Sequence, residues 1–105
     1  MQTKQRGRPP KAQPEQPSVL QEAHTIIYGE REKTYGAPGK NLETIAAFWT
    51  NFLGARGLLC SSLSPEDVAH MMILLKVARL ANDPYHRDSL VDVCGYAALS
   101  ERINL

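Results

Sequence analysis

A chain of 105 residues with a formal net charge of +1, 43% hydrophobic residues and two cysteines is one small domain with a modest core. Its longest apolar run, Val68 to Leu75, is interrupted by His70 and falls far short of the roughly 20 residues of a membrane span. Cys60 and Cys94 have neither metal-ligand spacing nor a disulfide framework around them, and no secretory segment is visible, so a reducing cytoplasm is the expected compartment.

The charge is unevenly spread. Residues 1–17 carry Lys4, Arg6, Arg8 and Lys11 against Glu15, which leaves +3, while the eight basic and ten acidic side chains of residues 18–105 leave −2. With four prolines, four glutamines and no large aliphatic residue after Met1, the first 17 residues form a basic tail that cannot bury enough apolar area to offset its ordering entropy. Disorder is the expectation for it. Within the tail, Arg6-Gly7-Arg8-Pro9 resembles the core of an AT-hook, an extended element that lies in the minor groove of A·T-rich DNA. The physics suits those residues: Gly7 lets the backbone reach the groove floor, while Arg6 and Arg8 enter the negative potential of a narrow groove. A plain solubilising tail is the competing account.

Residues 18–105 read as a helical domain. Ser18 with Gln21 forms a capping box ahead of Leu20, Ala23, Ile26 and Ile27, predicting a helix to about Tyr28 or somewhat beyond. Gly36, Pro38 and Gly39 interrupt it, and Asn41 is placed to cap a second helix through Ile45, Phe48, Trp49 and Phe52, with Gly54 as its stop signal. The intervening turn holds Gly36, Gly39 and Lys40 just before a helix N-terminus, a phosphate-loop candidate that lacks the spacing and preceding strand of a P-loop; a simple turn is the alternative.

Ser64-Pro65-Glu66-Asp67 starts a third helix with an N-cap, a proline at N1 and two carboxylates in the first turn. Asn82-Asp83-Pro84 ends it, and Asp83 is placed to cap a fourth helix running to about Ile103. The fold class is therefore all-α: about four helices in a small bundle, the last two an antiparallel hairpin. The third helix is apolar around most of its circumference, which predicts either that it is central in the fold or that a second subunit covers one flank; the second alternative, a homo-oligomer, is preferred.

Few charges interrupt the last two helices. Lys76 and Arg79 share a stripe of the third, and Asp88 and Asp92 a stripe of the fourth with Tyr96 beside it. Two cations facing two carboxylates form either a structural ion-pair network or a ligand site, in which Lys76 and Arg79 bind phosphates, Asp88 or Asp92 accepts from a ribose or base, and Tyr96 stacks. His24, His70 and His86 show no zinc spacing, and Ser61, Ser62 and Cys94 have no evident base partner.

From Val19 to Ile103 the pattern Tyr35-Gly36, Asn41, Ile45-Ala46, Trp49, Asp67-Val68-Ala69, Met72, Lys76-Val77-Ala78-Arg79-Leu80, Asp88-Ser89-Leu90-Val91-Asp92 and Gly95-Tyr96-Ala97-Ala98-Leu99 resembles a domain of unknown function in small bacteriophage and prophage proteins. That resemblance implies a phage or bacterial origin and an all-α domain, and it brings no established activity. Weighed with the residues above, the first reading is a non-enzymatic phage-type accessory protein of the bacterial host cytoplasm, without catalytic residues, metal or cofactor, that binds a nucleotide, nucleic acid or a host protein. A more distant similarity runs to the MazG-like all-α NTP pyrophosphatases. Asp92 and Asp88 can be laid over the carboxylates of their Glu-Glu-Leu-Gly-Asp segment, but Ser89 stands where the glutamate of Glu-x-x-Asp belongs. Under that alternative Mg²⁺ would be required, and Lys76 and Arg79 work against holding it.

Overall fold

The computed structural model of the protein describes residues 16–103, so the hook residues Arg6, Gly7, Arg8 and Pro9 and nearly all of the basic tail lie outside the described residues. Five α-helices follow: α1 (Val19–Thr25), α2 (Arg31–Tyr35), α3 (Pro38–Ala55), α4 (Pro65–Asn82) and α5 (Arg87–Arg102). A π-helical turn, Ile26–Glu30, joins α1 to α2 without leaving helical backbone, because the cap residues Ile26 and Arg31 both keep right-handed helical angles. The first expected helix therefore reaches Tyr35, and the bundle has four helical rods. No strand occurs among the described residues.

Local chemistry sets two helix starts as expected. Ser18 Oγ accepts from the Gln21 N–H (3.1 Å) while Gln21 Oε1 accepts from the Ser18 N–H (2.8 Å). Ser64 and Asp67 make the same reciprocal pair at the start of α4, at 3.0 and 2.9 Å, with Pro65 at N1. Each box satisfies two otherwise orphaned N–H groups.

Three boundary expectations are corrected. α3 begins at Pro38, with Ala37 as N-cap, so Gly39, Lys40 and Asn41 lie inside its first turns and Asn41 is no cap. Proline at N1 supplies the helical φ there, and Gly36, at φ +81°, makes the reversal out of α2. α3 passes through Gly54 and ends in a Schellman motif at Gly57 (φ +69°), where the Leu58 N–H donates to the Leu53 carbonyl (2.9 Å) and the Gly57 N–H to Gly54 (3.0 Å). Asp83 does not cap α5: its carboxylate accepts from the Tyr85 N–H in the connecting turn (3.3 Å), and His86 is the N-cap, accepting from the Ser89 N–H through Nδ1 (3.2 Å).

The core is small. Ile27 of the π turn, Leu42 and Ala46 of α3, Val68 and Ala69 of α4 and Leu99 of α5 form its buried cluster, with Trp49, Met72 and Tyr96 packed against it. α4 and α5 form the antiparallel hairpin, their most extensive pairing, joined through four residues; among the described residues α4 otherwise packs on α3, and α1 lies on α5. Among the described residues, one flank of α4 consequently has no neighbour.

Candidate functional site

The hairpin brings one of the two expected cation–carboxylate pairs together. Lys76 Nζ lies 3.0 Å from Asp92 Oδ2, the lysine side chain 15% exposed and the aspartate 32%. Lys76 follows Ala69 and Met72 on the face of α4 that turns inward, and Asp92 sits one residue after buried Val91, so helix register alone presents the two groups to each other. Arg79 and Asp88 stay exposed, and neither makes an ion pair among the described residues. The four charges do not form one cluster.

Tyr96 meets a residue that the sequence reading did not single out. Arg31, the first residue of α2, holds its guanidinium 5.7 Å from the centre of the Tyr96 ring. Ile26, Ile27, Arg31, Asp92, Gly95 and Tyr96 border a cavity of about 50 Å³ between the π turn and α5. That is room for a water molecule, whereas small-molecule sites occupy roughly 300–1,000 Å³. The only sequence signal for Arg31 would have been its placement four residues after Ile27, and the π turn breaks the spacing on which such an inference relies.

Gly36, Gly39 and Lys40 are not gathered into a phosphate cradle. Gly36 lies in the turn, Gly39 faces Ile103 across the start of α3, and Lys40 points into solvent with its backbone N–H bonded to the Ala37 carbonyl (3.0 Å). Metal chemistry fares no better: among the described residues no group of three or more His, Cys, Asp or Glu is placed to hold a metal ion. With Asp92 bound to Lys76 and Asp88 apart from it, these residues do not fit the Mg²⁺ that a pyrophosphohydrolase needs.

At the other end of the bundle, a second ion pair fixes where the tail meets the body. Arg87 opens α5 and donates through Nε and Nη2 to Glu22 Oε1 of α1 (3.2 and 2.8 Å), and the same Nη2 donates to the Pro17 carbonyl (2.6 Å). A further contact ties the π turn to the end of α5, where Arg102 lies 4.1 Å from the Tyr28 ring centre and donates to the Ile27 carbonyl (3.3 Å). His24 stacks on the same tyrosine at 4.4 Å.

These features define a small all-α domain, preceded in the sequence by a basic, proline-rich segment. The AT-hook motif model matches residues 3–15, which include Arg6, Gly7, Arg8 and Pro9. The chain belongs to the family described as domain of unknown function DUF6378, whose model matches residues 18–104. It is similar to the Gene 55 protein of Mycobacterium phage D29, 44% identical over 86 residues, which is 82% of this chain and 53% of that protein. The Gene 55 protein of Mycobacterium phage L5 is likewise 44% identical, over 84% of this chain and 53% of its own length. The chain thus spans about half the length of these relatives. No solved structure matches it. Among the described residues, no helix is long and apolar enough to cross a membrane.

Proposed function

We propose that this is a non-enzymatic phage accessory protein that holds A·T-rich DNA through its hook, its helical body assembling copies so that several hooks reach one duplex. The observation that carries the reading is the AT-hook match at residues 3–15 directly ahead of a folded helical domain. Arg6 and Arg8 enter the narrow minor groove, Gly7 permits the backbone to approach its floor, and Lys4 and Lys11 add phosphate contacts.

One hook neutralises few phosphates, so its affinity is modest and falls steeply with salt. Joining copies raises the effective concentration of a second hook once the first is bound. Two features favour the body as the assembling part over a nucleotide site: Lys76 is held by Asp92, and the cavity beside Tyr96 is water-sized. Competition between A·T-rich and G·C-rich duplexes at near-physiological salt tests the proposal. The wild-type protein should prefer the A·T-rich duplex and Arg8→Ala should lose that preference with the body still folded; equal competition by the two duplexes would overturn the hook.

A further inference from the structure

The point at which the chain enters the body decides which of its surfaces a hook-bound duplex meets. Arg87 Nη2 holds the Pro17 carbonyl at 2.6 Å while the same guanidinium grips Glu22, so the chain enters α1 beside the start of α5. That start is also where α4 ends, four residues away across the hairpin turn. The tail therefore leaves the body at the hairpin end of the bundle. The opposite end of α4, at Ser64 to Asp67, is about 27 Å away along an 18-residue helix.

Chain length sets the reach. Pro9, the last hook residue, is eight residues from Pro17, a span of about 26 Å at full stretch and on the order of 16 Å by random-coil statistics. A duplex on the hook thus comes to the hairpin end at ordinary extension, and to the far end of α4 only if the tether is drawn straight back along the body. Charge at the hairpin end is spare. Arg79, in the last turn of α4, and Asp83 and Asp88 on either side of the turn are exposed, and none of the three makes an ion pair among the described residues. Salt screens exposed charges beyond about 8 Å under physiological conditions, so these three act on DNA only where its phosphates come that close.

We infer that a duplex held by the hook lies at the hairpin end of the body, where Arg79 contacts its phosphates and Asp83 and Asp88 repel them. The inference rests on the reading of the tail as a hook, and it names the body surface that faces the DNA. In the full chain, Arg79→Ala should weaken binding to an A·T-rich duplex roughly fivefold and lower the slope of log affinity against log salt by about one. The preference over G·C-rich DNA should stay, since no base edge is touched. Asp83→Asn combined with Asp88→Asn should strengthen binding roughly threefold, asparagine at position 83 keeping an acceptor for the Tyr85 N–H. Glu66→Gln, in the first turn of α4 at the far end, should leave the affinity unchanged.

An A·T-rich duplex bearing a nitroxide spin label beside the hook site gives a second readout, in which amide signals of residues 82–90 should broaden and those of residues 64–69 should not. Wild-type affinity and salt slope in a folded Arg79→Ala protein would overturn the phosphate contact. An equal response to Glu66→Gln, or even broadening at both ends, would overturn the placement of the duplex. The hook is judged apart from this. A wild-type protein indifferent to base composition removes the hook, while the contrast between Arg79→Ala and Glu66→Gln still reports which end of the body meets the DNA.

Discussion

Lys76 and Asp92 show what a half-buried ion pair does in a bundle with so small a core. The attraction at 3.0 Å is offset by desolvation of the lysine, so the net gain of the pair is small, whereas breaking it strands a charge that is 15% exposed. Asp92→Asn should therefore destabilise the protein by about 1–3 kcal/mol, while the double replacement Lys76→Met with Asp92→Leu should cost much less; urea unfolding of the three proteins checks this. His86 is a second test at this scale. Its Nδ1 accepts from the Ser89 N–H and lies 2.8 Å from the Ser89 hydroxyl, and Ser89 is buried. His86→Ala should lower stability by about 1 kcal/mol and His86→Asn by little, because asparagine caps the same N–H.

At the scale of the elements, what was legible in the sequence is what local chemistry decides. Ser18 with Gln21 and Ser64-Pro65 with Asp67 mark helix starts because every group involved lies within one turn. The hairpin and the Lys76–Asp92 meeting were legible too, since helical periodicity fixes which side chains share a stripe. Asp83 is the cap that the sequence suggests because aspartate is the commoner cap residue, and only the path of the turn shows that His86 reaches the helical N–H instead. Gly54 and Gly57 are both plausible stops, and φ alone separates them. Gly57→Ala should accordingly cost about 1 kcal/mol in thermal unfolding, with Gly54→Ala neutral or stabilising, because only Gly57 has positive φ and nothing lies within 4 Å of a Cβ at either position. The π turn was not legible. Its wide turn shifts Arg31 relative to Ile27, so the Arg31–Tyr96 contact and the small cavity follow from a register that no 3.6-residue period contains.

For the whole molecule, the apolar excess of α4 was visible in the sequence, and its location was not: only the packing order shows which flank α5 and α3 leave uncovered among the described residues. The Glu22–Arg87 pair was equally hidden, since it joins residues 65 positions apart. Arg87 gives that pair a mechanical meaning. Because its guanidinium grips both Glu22 and the Pro17 carbonyl, a pull on the segment ahead of Pro17 passes to α5, the helix with the most extensive packing partners, before it reaches the first turn of α1. Arg87→Ala removes this strain relief. Amide exchange at Gln21 to Ala23 should then quicken when the protein is held on DNA, whereas in the wild-type protein the same amides should exchange alike on and off the duplex. Under the proposed hook-bound state, tension from the duplex would thus meet the Arg87 guanidinium before the first turn of α1.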